Sequence, residues 1–375
     1  MNKFCDIRCS SVARIIDVNA NRSKEALRVI EDYARFVLDN ESLSVELRNI
    51  RHNLTEIIKK LESGNPNLLI RARNVQDDIG KDGFTKAHEL TSKRVNELNV
   101  KDIVIANFKR LEEALRSLVE YTKTISIQSS NKLEVLRFKA YELEQEVSFY
   151  LFPKRAFEKV RLYVLVNSNM NLVKDVIKGW ACPEGARGAD AIQLREKSMS
   201  DNKLLKAALE IRKLTLAHKV LFIMNDRVDI AYLANADGVH LGEDDISIRD
   251  ARKILGADKI IGATSHNIEE AIQAQRDGAD YISVGPMFSS PTKPHLKPEG
   301  LKYLKEVAKK IKIPYVAIGG INEKNIPSLL KLHKEYFLLP GRQVKYPLKT
   351  AISSGIINCI DPFQATKKIK RVLNN

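Results

Sequence analysis

The 375-residue sequence predicts an α/β fold in which a C-terminal (β/α)8 barrel follows an all-α helical domain, and three observations carry that reading. Short apolar runs of strand length recur between residues 162 and 356 with helical spacing between them, as expected of parallel strands joined by crossover helices. Nothing before Pro153 alternates like a strand. Carboxylates, cations and hydroxyls fall directly after the apolar runs, where a barrel of this class gathers its active face.

Residues 1–152 form the helical domain. Leu47, Ile50, Leu54, Ile57, Ile58 and Leu61 keep helical spacing, and Leu133, Leu136, Ala140, Leu143 and Val147 alternate steps of three and four, so each set forms one buried stripe. An internal repeat lies here. Asn19-x-x-Arg22-x-x-Glu25-Ala26-Leu27-Arg28, followed by Tyr33, returns as Asn107-x-x-Arg110-x-x-Glu113-Ala114-Leu115-Arg116, followed by Tyr121, an offset of 88 (113 minus 25). Two like helices packed about a pseudo-twofold follow from it. Their charges read either as a solvated ion-pair ladder or as arginines lining a concave site for an anionic ligand. Pro153 ends the helical half, and a basic stretch leads into the barrel at 159–375. Its strands are placed around 162–166, 191–194, 220–224, 238–241, 260–263, 281–284, 315–318 and 351–354.

Composition narrows the function classes. With 44% hydrophobic and 29% charged residues, the chain reads as a soluble globular protein of two or three domains. The apolar runs are strand-sized and the N-terminus lacks an apolar leader core, so no membrane partner and a cytoplasmic location are expected. Cys5, Cys9, Cys182 and Cys359 are scattered and read as reduced thiols. The formal charge of +15 would suit a nucleic-acid binder, but its lysines and arginines lack interleaved aromatics; a lysine-rich surface is the better reading, with no nucleic-acid partner.

The site candidates follow the strands. Asn225-Asp226 closes the third run, and Gly242-Glu243-Asp244-Asp245 closes the fourth, so Asp226 and Asp245 face one mouth, where a hard cation such as Mg2+ could bridge them to phosphate oxygens. Gln193, Arg195 and Lys197 share one side of a period-two pattern. Thr264 stands at the fifth strand end, where His266 reads as a structural histidine. The loop after the sixth strand carries Ser289, Ser290, Thr292 and Lys293. Gly319-Gly320 lets backbone approach an anion, and Ser353 and Ser354 complete that pocket.

At these residues the chain resembles the thiamine-phosphate synthase family, a TIM-barrel family. The resemblance runs from about residue 162 to 373 and rests on Q-L-R-E-K, N-D-R, H-L-G-E-D-D, G-A-T-S-H, G-P-M-F-S-S-P-T-K and A-I-G-G-I in order. It implies a transferase joining 4-amino-2-methyl-5-hydroxymethylpyrimidine diphosphate to a thiazole phosphate, with release of diphosphate. By position, Asp226 and Asp245 would hold Mg2+, and Arg195, Lys197, Thr264 and Lys293 would bind the diphosphate. Gln193 and Asn225 would line the pyrimidine. Ser290 and Thr292, with backbone at Gly320 and the Ser353-Ser354 pair, would take the thiazole phosphate. A thiazole tautomerase resembles these enzymes too, but has no diphosphate to bind. The N-terminal part resembles a helical domain found fused to such synthases, with a suggested role toward the pyrimidine phosphate; a docking module is the other reading, and the chain holds no G-x-x-x-x-G-K-[ST] loop. A homo-oligomer is compatible with all of this. Glu243 replaces the family's usual Gln, while the segment at 180–184 and the stretch at 331–349 are longer than the family's connections.

Overall fold

A computed structural model describes residues 3–62, 68–72, 99–178, 188–289, 300–337 and 347–374, and divides the chain into two compact units, Met1–Leu151 and Phe152–Asn375. The segment at 180–184, Ser290, Thr292, Lys293 and part of the stretch at 331–349 lie outside the described residues. No helix among the described residues is long and apolar enough to cross a membrane.

The first unit is helical. α1 (Lys3–Phe36), α2 (Glu41–Leu61), a short α3 (Leu68–Ala72), α4 (Val100–Thr122) and α5 (Ile127–Leu151) follow in order. Asn40 caps α2 by accepting from Leu43 N, and Asn99 forms a reciprocal capping box with Asp102 at α4. The stripes anticipated on α2 and α5 are buried at all positions but Leu61, which is half-buried. The repeat acquires a shared geometry: Asn19 and Asn107 each donate to the carbonyl four residues earlier, at 2.9 and 2.8 Å. α1 packs on α4, and Ala26, Leu27, Ala114 and Leu115 are buried. Arg22, Glu25, Arg28, Arg110, Glu113 and Arg116 are all exposed. Arg28 and Arg116 meet Asp32 and Glu120 one turn on, at 3.9 and 3.1 Å, so these exposed arginines pair with carboxylates beyond the Glu25 and Glu113 of the repeat.

The second unit is a closed barrel of eight parallel strands in sequence order. α6 (Pro153–Glu158) leads to β1 (Leu162–Val166), α7 (Met170–Ile177), β2 (Ala191–Leu194), α8 (Asp201–Ala217), β3 (Leu221–Asn225) and α9 (Val228–Leu233). β4 (Gly238–Leu241), α10 (Ile248–Leu255), β5 (Ile260–Ser265), α11 (Ile268–Arg276) and β6 (Tyr281–Val284) continue the alternation. α12 (Gly300–Lys310), β7 (Tyr315–Ile318), α13 (Ile326–Phe337), β8 (Lys349–Ile352), α14 (Ser354–Ile357) and α15 (Pro362–Asn374) close it. The eighth expected strand shifts by two residues. β8 begins two residues before the anticipated 351, with Thr350 paired to Leu162 and Ala317, so Ser353 becomes the cap of α14 rather than strand. The polar pair Lys349-Thr350 hid this start, because both side chains are fully buried.

Outward-facing Val164, Ile192, Phe222, Val239, Ile261 and Ile282 pack under the helices, and alternate residues point into the barrel. Three aspartates brace its N-terminal rim in one repeated arrangement. Asp190, Asp237 and Asp280 each precede an even strand and accept from Leu162 N, Phe222 N and Ile261 N of the odd strand before it, at 3.0, 2.8 and 2.8 Å. Each also holds a cation from a helix: Lys370, Arg212 and Arg252 respectively. Before β8 the place falls to Leu348, and Lys349 instead donates to the carbonyls of Glu158 (2.6 Å) and Val160 (3.1 Å).

Burial pushes Lys349 down from 10.5 to about 7, against the pull of Asp190 and Glu158. Between those two values the unfolded chain holds a proton that the folded barrel has released, so stability rises with pH across that window. The stability of Lys349→Met is expected to lack that rise. Thermal melts at about pH 7 and about pH 9 check this, and equal pH slopes in the two proteins would refute it.

Candidate active site

The C-terminal ends of β3 and β4 bring Asp226 and Asp245 together. Asp226 N donates to His240 O at 2.9 Å, which ties the end of β3 to β4. Asp226 has φ of 61°, a left-handed conformation that costs a non-glycine residue about 1–2 kcal/mol. Asp245 turns back to accept from Gly242 N at 2.6 Å, and a side chain at Gly242 would crowd that carboxylate, its Cβ lying 3.2 Å from Oδ2. The half-buried Asp226 carboxyl is pushed up to about 6, first by burial and then by Asp245, which lies within hydrogen-bonding reach; Lys197 and Arg195 pull the other way. Two carboxylates and two cations therefore share one mouth, as the strand ends implied.

Deeper in the barrel a polar chain crosses the interior. Gln193 Nε2 donates to Tyr163 Oη at 2.8 Å, Tyr163 and Tyr281 hydroxyls meet at 3.1 Å, Tyr281 Oη meets His240 Nδ1 at 2.9 Å, and His240 Nε2 meets Thr264 Oγ1 at 3.1 Å. Burial holds His240 down at about 4, so its ring is neutral. In the tautomer that carries its hydrogen on Nε2, Tyr163 donates to Tyr281, Tyr281 donates to Nδ1, and Nε2–H donates to Thr264. The hydrogen of Thr264 is left for an acceptor in the mouth. Phe157 from α6 stacks on Tyr281 with ring centres 4.4 Å apart. Gly262 makes room for the tyrosine: a Cβ there would lie 2.0 Å from its ring.

Of the residues singled out in the sequence, Gln193 and Thr264 thus belong to this chain, Asn225 is buried at the end of β3, Arg195 is half-buried and Lys197 exposed. His266 meets Glu270, in the first turn of α11, at 3.3 Å. Gly319 and Gly320 have φ of 98° and 64°, and a Cβ on Gly320 would strike the carbonyls of Ser289 and Phe288 at 2.6 and 2.7 Å. The loop after β6 is tied to this turn by Phe288 N donating to Gly319 O at 3.0 Å. Gly355, beside Ser353 and Ser354, sits against the Ile321 carbonyl, which a Cβ would approach to 2.6 Å, so the turns after β7 and β8 adjoin. Tyr163, His240 and Tyr281 are the residues that sequence reasoning missed. His240 carried a signal, since it sits two places before Gly242 on the same strand face that leads to the acidic turn.

The donor set suits a hard cation. Asp226 and Asp245 offer two carboxylate donors within reach of one another. Mg2+ is commonly held in that way.

Residues 162–335 match the family model described as thiamine monophosphate synthase, and residues 14–146 match the ThiD2 family. A thiamine-phosphate synthase of Prochlorococcus marinus subsp. pastoris is 36% identical over 94% of this chain and 92% of its own length. One from Synechocystis sp. is 34% identical over 96% of each. Among solved structures, a thiamine phosphate pyrophosphorylase from Pyrococcus furiosus is 32% identical, covering 58% of this chain and 96% of its own, with a TM-score of 0.48.

Proposed function

The chain belongs to the thiamine-phosphate synthase family, and on that premise we propose that Asp226 and Asp245 hold Mg2+ while the cations beside them grip the departing diphosphate. The observation that carries this is the half-buried Asp226 carboxyl within reach of Asp245, an arrangement of like charges that calls for a cation between them. When bound, Mg2+ supplies Lewis-acid stabilisation of the charge that develops on the leaving group.

The chain's own residues perform the rest. Arg195 and Lys197 hold the diphosphate oxygens, the first by a planar fork and the second as a point charge, with Lys293 assigned to the same group. The Thr264 hydroxyl, oriented through His240, donates to the same anion. Gln193 and Asn225 line the pyrimidine and keep its methylene carbon facing the thiazole nitrogen. The thiazole phosphate is assigned to backbone at Gly320 and to Ser353 and Ser354, and by the family resemblance to Ser290 and Thr292. No side chain forms a covalent bond, because the task is to stabilise departing charge and exclude water. The barrel at 159–375 is assigned the synthesis, and residues 1–152 a pyrimidine-phosphate-related or docking role.

The test supplies the purified chain with 4-amino-2-methyl-5-hydroxymethylpyrimidine diphosphate and the thiazole phosphate, and follows diphosphate release. Release is expected with Mg2+, to stop with EDTA, and to return when Mg2+ is restored. Turnover that continues unchanged in chelator rejects the metal assignment.

A further inference from the structure

We propose that Arg227 is a positioning residue that holds Asp226 in its cation-facing conformation, a role that rests on reading Asp226 as a cation ligand. Four non-glycine residues among those described have positive φ: Asp39, Lys219, Asp226 and Asn235. Asp39, Lys219 and Asn235 follow the ends of α1, α8 and α9, where a left-handed residue commonly closes the last turn. Asp226 alone follows a strand. Its own amide is committed to His240 O, and the next amide, Arg227 N, turns back to Asn225 O at 2.7 Å, so the chain reverses around Asp226 within three residues. Such a conformation persists only where the surroundings over-determine it.

Arg227 provides that fixation through its side chain. Its Nε donates to Asp229 Oδ1 at 2.9 Å, Nη2 to Asp229 Oδ2 at 2.6 Å, and Nη1 to Asp201 Oδ1 at 2.5 Å. Asp229 stands in the first turn of α9 and Asp201 begins α8. The residue after the left-handed turn is thereby fastened to the starts of two consecutive barrel helices. The guanidinium holds both carboxyls below their ordinary range, foremost through these hydrogen bonds. With all three of its nitrogens on carboxylates, it is placed to brace the turn rather than to receive a phosphate.

The full-length wild type, Arg227→Ala, Arg227→Lys, Asp229→Asn and Asp226→Asn are titrated with Mn2+ alone, reading the free ion by electron paramagnetic resonance, and assayed for turnover against Mg2+; circular dichroism confirms that each is folded. Arg227→Ala and Asp229→Asn are each expected to weaken Mn2+ binding by about tenfold, a size usual for residues that orient metal ligands. Their kcat should recover at saturating Mg2+. Arg227→Lys should rescue little, because an ammonium cannot fork across Asp229. Wild-type Mn2+ affinity in Asp229→Asn overturns the proposal, as does an Arg227→Ala defect confined to the KM for diphosphate substrate. If Asp226→Asn also binds Mn2+ like the wild type, the cation-ligand reading itself has failed; if only Asp226→Asn is weakened, that reading stands and the role of Arg227 is refuted.

Discussion

Replacing Asp226 by alanine is expected to slow diphosphate release by at least about a hundredfold, the scale on which preorganised charge stabilisation is lost. The half-buried carboxyl sits against Asp245 with Lys197 and Arg195 close by, so its removal takes away one of the two carboxylates proposed to hold the cation. Neither cation can substitute, since guanidinium and ammonium groups carry no acceptor for a divalent ion. Alanine also tolerates φ of 61° less well than aspartate, which would confuse a backbone effect with a lost charge. Asp226→Asn separates the two: it keeps the shape and tolerates the left-handed turn, yet lacks the charge. A comparable loss in both variants, measured with both heterocycles and Mg2+, supports the assignment. Full activity in the asparagine variant would show that the backbone mattered and the carboxylate did not.

Asp237→Ala is expected to cost about 3–5 kcal/mol, because it strands a buried guanidinium. Asp237 is 3% exposed and accepts both Arg212 Nη1 and Nη2, at 2.8 and 3.0 Å, as well as Phe222 N. Arg212 is 7% exposed, so water cannot replace the lost carboxylate. For a unit of this size the melting temperature should fall by on the order of 10 °C. Combining Asp237→Ala with Arg212→Met should recover much of the loss, since no charge then remains buried. Asp280→Ala should be milder: Asp280 and Arg252 side chains are 19% and 24% exposed and remain partly solvated. Equal melting of Asp237→Ala and wild type would show that this rim contact contributes little.

The three rim aspartates also show what was legible and overlooked. Ala189-Asp190, Ala236-Asp237 and Ala279-Asp280 each stand one residue before a strand, a repeat visible in the sequence once the strands are placed. Their meaning was not visible, because each reaches a cation far along the chain, Lys370 in the case of Asp190. The eighth strand was misplaced for a related reason. Lys349 and Thr350 look like loop residues by polarity, but the carbonyls of Glu158, Val160 and Arg161 receive them. The same holds for Tyr163, Tyr281 and His240, which sit on three different strands and become one polar chain in the barrel interior.

Local pattern was enough for the first seven strands, the helices between them, the helical half with its repeat, and the strand ends on which Asp226, Asp245, Arg195 and Thr264 stand, because periodicity follows from backbone geometry within a few residues. Ring closure supplied the rest. Which side chains touch across the barrel, how far Asp226 is buried and what holds it in a left-handed turn depend on register between distant strands, and register is a property of the closed sheet that no short window contains.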